Sequence, residues 1–456
     1  MKIPPRYKHQ DFSLAHARKS NLMFDMSDPG TGKTRVQIDA FAERRRKKGG
    51  KALILATKSL LDSAWKRDFQ NYAPDMVISL AYAENREQAL RATCDVVVTN
   101  HDAAKYLAKL PVTFWKSFDT LIVDESTAFK HHTSQRSKAL AKLSKNFKYR
   151  TCMTGTPTSN GICDIWHQVY ILDEGQLLGK SFFGFRSSVC EPKQIGPVAN
   201  MIKWEDREGA DLAVATILEK ITVRHQFDDC VDIPENLRYA VSFTLPKTLQ
   251  AKYDDMQDYH FVELKKTGVT AVNGAVVYGK LLQIASGAVY NDDGEYSLLD
   301  SSRYSLILDL VEERAHSIVF FSWEHQRDEL IREAEKRGIS YEVFDGSTSV
   351  RRRTSIVQDY QEGKYQVLFA HPQSAGHGLT LTKGTATIWA SPTYNLEHFL
   401  QGLKRIHRIG QNQKTETVVI IAEGTIDEVV WEVLQAKDAK QGDLLKLLKA
   451  EVTHDT

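Results

Sequence analysis

Two separated regions of the chain predict an α/β fold made of two parallel sheets joined by a helical middle. Between residues 22 and 154 short, wholly apolar runs alternate with stretches of helical period, and the same texture returns from 317 to 422. Strands that are apolar throughout and separated by helices belong to sheets covered on both faces, hence parallel ones. Three loops rich in glycine, hydroxyl and acidic residues follow such runs, at the carboxyl ends where these sheets bind ligands. A chain of 456 residues also exceeds one typical core, so two domains are expected.

Taken in order, residues 22–26 read as a first strand and 35–48 as the helix after it. RRRKKGGK (44–51) is the solvated basic end of that helix, with Gly49 as its stop. KALILA (51–56), DVVVT (95–99), TLIVD (120–124) and YRTCMT (149–154) are predicted strands, with a helix over 59–71. From about 160 to 300 the strand rhythm fades, and helices are predicted over 209–220 and 247–266. SIVFFSW (317–323), YQVLFA (365–370), ATIWAS (386–391) and TVVIIA (417–422) supply the second set of strands. Pro234, in DIPENL, interrupts any continuous element and marks the expected division. This gives an N-terminal lobe over 1–230 with a helical insertion at about 160–225, and a C-terminal lobe over 231–456 with a helical part at about 245–300.

Composition narrows the class of protein. The hydrophobic fraction of 42% suits a packed globular chain rather than a disordered one. Net charge is only +2, so a nucleic-acid surface has to come from local patterning. The five cysteines are scattered without a C-x-x-C pair, which argues against a disulfide framework or a zinc site. No stretch reaches the roughly 18 apolar residues of a membrane span, and MKIPPRYKHQDF lacks the apolar core of a signal peptide. A soluble, intracellular protein is expected.

The loop MSDPGTGKT (26–34) carries the chemistry furthest. Gly30 and Gly32 let backbone N–H groups approach phosphates, Lys33 reaches the β and γ oxygens, and the Thr34 hydroxyl can ligate Mg²⁺. A full pattern of this kind has glycine where this chain has Ser27. DEST (124–127) ends an apolar strand, placing Asp124 to hold Mg²⁺ partly through water and Glu125 to polarise the attacking water. A helix start rich in acids and hydroxyls is the bland alternative for DEST, and the phosphate loop upstream favours the catalytic one. In MTGTPTSN (153–160) the hydroxyls of Thr154 and Thr156 are placed to bond the acidic loop and sense the γ-phosphate; otherwise the segment is an ordinary T-P turn. In QGLKRIHRIGQ (401–411) Arg405 and Arg408 sit at i and i+3, hence on one helix face. Such arginines either supply charge to a phosphoryl-transfer transition state or form a solvated basic helix. If they serve a phosphate held by the first lobe, ATP binding closes the cleft and hydrolysis reopens it.

These stretches, in this order, resemble the superfamily-two helicases, and among them the Swi/Snf-type DNA translocases. MSDPGTGKT resembles motif I, ATKSLLDSAW (56–65) motif Ia, VTNHD (98–102) motif Ib and DESTAFK motif II, while MTGTPTSN is close to L-T-G-T-P-x-x-N. ITVRHQFDDCVDIPENLRYAVSFTLPKTLQAKYDDM is similar to the family's bridge between lobes. IVFFSW, AGHGLTLT (375–382) and QGLKRIHRIGQ resemble motifs IV, V and VI, and the RIHRIGQ form is more specific to the Swi/Snf type than to helicases at large. The chain departs from the family at SDPGTGKT for D-E-M-G-L-G-K-T, at DEST for D-E-[GA]-H, and at His377, where glycine is usual.

The resemblance implies two RecA-like P-loop NTPase lobes acting as a DNA-dependent ATPase with ATP and Mg²⁺. It implies Gln10 as the adenine-reading residue, Thr31 as part of the phosphate loop, and Gly376 and Gln401, with Thr154 and Thr156, as coupling residues. The implied partner is DNA, duplex and read without regard to sequence, touched by Lys58, Ser59, Asn100, Ser322, Trp323 and Thr380. A near-minimal monomeric motor of phage or bacterial type is expected, cytoplasmic in a bacterial or phage-infected cell, or nuclear if eukaryotic, with replication or repair proteins as further partners. A strand-separating or fork-remodelling, annealing helicase stays open, as does a non-catalytic DNA-binding scaffold on a relic nucleotide fold.

Overall fold

The computed structural model describes residues 3–194, 202–230, 232–267, 271–375 and 379–448. The chain divides into two compact units, Met1–Asp232 with Lys437–Thr456, and Ile233–Ala436. In chain order the strands of the first are β1 (Leu22–Asp25), β2 (Lys51–Ala56), β3 (Ile78–Ala81), β4 (Val96–Asn100), β5 (Phe118–Asp124) and β6 (Tyr149–Met153), the hairpin β7 (Cys190–Gln194) and β8 (Ile202–Asp206), and the short β9 (Thr222–Val223). All but the hairpin form one parallel sheet in the order β3-β4-β2-β5-β6-β1-β9.

Period-two alternation within the apolar runs feeds two cores at once. Leu53, Leu55, Val97, Leu121 and Val123 face one cluster, while Ala52, Ile54, Ala56, Val96, Val98 and Ile122 face the other. Helix Lys33–Lys48 contributes Ile38, Phe41 and Ala42 to the second cluster, and helix Ile165–Asp173 contributes Ile165, Val169 and Leu172 to the first. Leu444, Leu445 and Leu448, from the closing segment, join the first cluster as well. Each of the larger side chains, from valine up, contributes about 1.5–3 kcal/mol by leaving water.

The second unit repeats the scheme. Its strands are β10 (Asn236–Phe243), the hairpin β11 (Ala288–Tyr290) and β12 (Tyr296–Leu298), then β13 (Ser317–Phe320), β14 (Tyr341–Phe344), β15 (Val367–Ala370), β16 (Ala386–Trp389) and β17 (Thr415–Ala422). The parallel order is β10-β17-β16-β13-β15-β14. Ile318, Phe320, Leu368, Val419 and Ile421 face one core, and Val319, Val367, Phe369, Val418 and Ile420 the other. Helices Lys247–Thr267 and Ala271–Ala285 form the helical part. Buried Arg303 anchors that part by donating to the Ala285, Ala390 and Ile420 carbonyls and pairing with buried Asp427 at 2.6 Å.

Several elements differ from the sequence expectation. β3, β9, β10 and β14 are additional strands: β9 has only two residues, and β3, β10 and β14 are partly exposed, so none carries a wholly apolar run. The middle is not purely helical, since β7–β8 and β11–β12 interrupt it; exposed residues dominate β7, so no apolar alternation marks it. The helix expected over 59–71 is a π-helix over Leu61–Lys66 followed by an α-helix over Arg67–Tyr72.

Candidate functional site

The loop after β1 turns directly into helix Lys33–Lys48, with Gly30 at φ +91° and Gly32 at φ +82°, conformations that favour glycine. Gln10 lies against this loop: its amide nitrogen donates to the Thr31 carbonyl at 3.3 Å, beside His9, whose ring nitrogen donates to the same carbonyl at 2.7 Å. Lys33 spans the loop, its ammonium donating to the Ser27 carbonyl at 2.6 Å and the Asp28 carbonyl at 3.1 Å. Thr34 follows in the first helical turn, half-buried.

Ser27 has a structural role that glycine lacks. Its hydroxyl accepts from the His225 backbone N–H at 3.1 Å, and Asp28 accepts from the Phe227 N–H at 2.9 Å and pairs with buried Arg224 at 2.8 Å. The segment following β9 thus braces the phosphate loop, and neither this contact nor β9 has a local signal in the sequence.

The sheet order places the ends of β5 and β6 next to β1, so the three loops share one rim. Asp124, at the tip of β5, is buried, and its two oxygens accept from the Trp65 indole N–H at 2.9 Å and the Glu125 backbone N–H at 3.1 Å. Burial pushes the Asp124 carboxyl above the usual carboxylate range, opposed by the Trp65 hydrogen bond and the Lys33 charge. His101 donates to the Asp124 carbonyl at 2.8 Å and is neutral, burial having lowered its pKa to about 4. Glu125 takes a left-handed backbone, φ 49° and ψ 57°, a strained state for a non-glycine residue of the kind found where a side chain must be aimed.

Contacts between the acidic loop and the TGTPTSN loop run through residues other than the two threonines. Lys130 donates to Ser159 at 2.7 Å and pairs with Asp164 at 3.0 Å. Ser126 donates to Gln168 at 2.6 Å, and Gln168 donates to the Pro157 carbonyl at 2.8 Å. Thr154 instead receives the Thr156 N–H on its hydroxyl at 3.1 Å and donates its own N–H to the Asp25 carbonyl at 3.0 Å. Among the described residues the buried Thr156 hydroxyl has no hydrogen-bond partner, an orphaned polar atom on the rim that a phosphate oxygen or its water can satisfy. Together with one buried carboxylate, the Thr34 hydroxyl and the Lys33 ammonium, this fits Mg²⁺ bound with nucleotide phosphates, which needs only one or two protein carboxylates. Among the described residues no group of three or more His, Cys, Asp or Glu forms a cage for a metal by itself.

In the second unit helix Leu396–Leu403 carries Gln401 and ends before the arginines, so Arg405 and Arg408 lie in the turns beyond it rather than on a helix face. They converge all the same: Arg405 Nη1 and Arg408 Nη1 both donate to the Leu379 carbonyl, at 3.2 and 2.7 Å. Arg405 is buried and also donates from Nε to the Gln401 carbonyl at 2.8 Å, which gives it a positioning part as well.

Five of the six expected DNA contacts occupy strand ends. Exposed Lys58 and half-buried Ser59 follow β2, and Asn100 closes β4, accepting from Arg86 at 3.0 Å. Ser322 and Trp323 follow β13, with Ser322 exposed and the Trp323 ring stacked on His325 at 5.8 Å. Thr380 is half-buried ahead of β16, and Gly376 lies outside the described residues. Trp65, Lys130, Gln168, Arg224 and His225 are the residues that sequence reasoning did not assign. Trp65 closes the ATKSLLDSAW stretch and was the one most open to notice.

Comparison with known proteins gives the family. The SNF2-related domain matches residues 12–285 and the helicase conserved C-terminal domain residues 302–410. Putative protein p41 of Acyrthosiphon pisum secondary endosymbiont phage 1 is 29% identical, over 98% of both chains. An "Uncharacterized ATP-dependent helicase" of Mycoplasma pneumoniae is 25% identical over 85% of this chain, which spans 36% of that protein's length. A solved Sulfolobus solfataricus SWI2/SNF2 ATPase core in complex with dsDNA is 19% identical, covering 98% of this chain and 95% of that one, with a TM-score of 0.45. With both domains matched in order along two parallel sheets, the chain belongs to the SNF2-related family, ATP-dependent enzymes of helicase superfamily two.

Proposed function

We propose that this protein is a DNA-dependent ATPase motor that couples ATP hydrolysis to translocation along, or remodelling of, duplex DNA. The observation that carries the reading is the rim of the first unit, where Lys33 follows β1 and Asp124 and Glu125 end β5, one strand apart, with the buried carboxylate oriented by Trp65. Lys33 binds the nucleotide phosphates, Glu125 orients and deprotonates the attacking water, and Gln10 positions the base. Thr34 and Asp124 would hold Mg²⁺, which would supply charge neutralisation at the phosphate oxygens. Arg405 and Arg408 offer further positive charge from the second unit, so their participation makes turnover depend on domain movement.

DNA is gripped through its backbone by Lys58, Ser59 and Asn100 on one sheet and Ser322, Trp323 and Thr380 on the other, a sequence-independent and salt-sensitive mode. Relatives from a phage and from bacteria support a place in the cytoplasm of a bacterial or phage-infected cell, and no described helix is long and apolar enough to cross a membrane. ATP turnover with and without duplex DNA, for the natural chain and Glu125→Gln, tests the reading. Stimulation by duplex that falls by about 10²-fold or more in the variant, with nucleotide still bound, is the expected result. Equal turnover in both proteins removes Glu125 from its role, and turnover indifferent to DNA removes the motor.

A further inference from the structure

Charge in this nearly neutral chain is unevenly spread. From Ser126 to Cys163 there is no Asp or Glu, against seven Lys and Arg. The fold gathers part of this excess into one place. Lys138, Lys142 and Lys145 step along helix Gln135–Ser144 and its C-cap, and with Lys180 and His132 they line a cavity of about 370 Å³ walled by Trp166 and Tyr170.

The four lysines are exposed, and only Lys145 has a carboxylate partner, Glu174 at 3.8 Å. Lys138, Lys142 and Lys180 have none among the described residues. An ordinary solvated helix face interleaves both signs of charge, whereas a concave single-sign surface over aromatic walls focuses its field and attracts an anion. The same character continues beyond the cavity: the Arg186 guanidinium lies 4.0 Å over the Trp204 ring, His132 stacks on Phe182 at 4.0 Å, and Phe183 is 63% exposed. The His132 pKa is lowered by burial and then by Lys138, Arg186 and His131, as a positive surrounding requires.

Position separates this surface from the rim of the first sheet. Helix Gln135–Ser144 leads from the loop after β5 back to the start of β6, so its lysines descend the flank of the sheet, away from the carboxyl ends that carry Lys58, Ser59 and Asn100. Mixed cationic and aromatic surfaces are the pattern that holds a nucleic-acid backbone without reading sequence.

We propose that the cavity between helices Gln135–Ser144 and Ile165–Asp173 binds the phosphodiester backbone of DNA, giving the first unit a second backbone contact apart from its rim. The proposal rests on the reading of the protein as a DNA motor. Free phosphate shares the chemistry, and the experiment separates the two sources. Binding of a labelled duplex to the full chain is followed by fluorescence anisotropy across a salt series without nucleotide, for the natural protein, for Lys138→Gln/Lys142→Gln/Lys180→Gln, and for the corresponding triple Lys→Arg variant. The Gln variant should lose about 2 to 3 units of slope in log affinity against log salt, at roughly 0.9 per phosphate released, while the Arg variant keeps the slope. ATP turnover in the absence of DNA should not change in either variant. Duplex binding by the natural protein with an identical slope in the Gln variant overturns the cavity proposal and leaves the motor standing. No duplex binding by the natural protein overturns the motor reading itself. Saturable broadening of the phosphorus resonance of inorganic phosphate, lost in the Gln variant while the DNA slope stays unchanged, assigns the cavity to free phosphate and overturns the DNA contact.

Discussion

Asp124 shows what a single side chain asks of its neighbours. A carboxylate this buried is costly to keep charged, and the Trp65 indole N–H on one oxygen both offsets that cost and fixes the direction in which the other lone pairs point. Trp65→Phe keeps an aromatic ring, though a smaller one, and removes the donor. The half-saturating Mg²⁺ concentration for ATP turnover should rise on the order of 10-fold, and Mn²⁺ binding followed by electron paramagnetic resonance should weaken in parallel. Unchanged metal binding with a lowered melting temperature would reduce Trp65 to a packing residue. At this scale the sequence is informative where function is local. Gly30, Gly32, Lys33 and Thr34 are legible because four nearby positions must act together between a strand and a helix. The brace on Ser27 is not, because its partner His225 lies 198 residues away and donates through its backbone, which any residue type can do.

Elements were legible in proportion to their apolar content. β2 spans the KALILA run expected of it, and the other sequence-predicted strands shift by a few residues at their ends, since strands buried on both faces have to be apolar throughout. β3 and the β7–β8 hairpin escaped because they are half-buried or exposed and carry no such run. The segment of Arg405 and Arg408 continues a helical pattern in sequence, yet the helix stops at Leu403, and the two guanidinia are brought together by a shared carbonyl instead of a shared face. What seats helix Leu396–Leu403 is Gly402, lying against the Phe320 and Trp389 rings, which are 4.7 Å apart between centroids. An added Cβ would come within 2.9 Å of both rings. Gly402→Ala should therefore destabilise the second unit by about 1–3 kcal/mol through overpacking, measurable by denaturant unfolding, despite alanine's better helix propensity. A gain in stability would show that this contact yields freely and does not set the height of the helix.

For the whole molecule, the repeated strand-and-helix texture on either side of a different middle was enough to anticipate two parallel sheets, and the structure has both. Sheet order and the grouping of Lys437–Thr456 with the first unit have no local code, because they follow from which apolar faces meet after folding. The same limit applies to function: the proposed ATP chemistry rests on short stretches that can be read singly, whereas the proposed motion along DNA is carried by no single stretch. Displacement of the third strand from a DNA triplex, run beside separation of a partial duplex with ATP, tests that motion most directly. Loss of the third strand that requires ATP and disappears in Glu125→Gln, with the partial duplex left paired, is the predicted result. A triplex that stays intact while ATP is consumed would contradict translocation along duplex DNA.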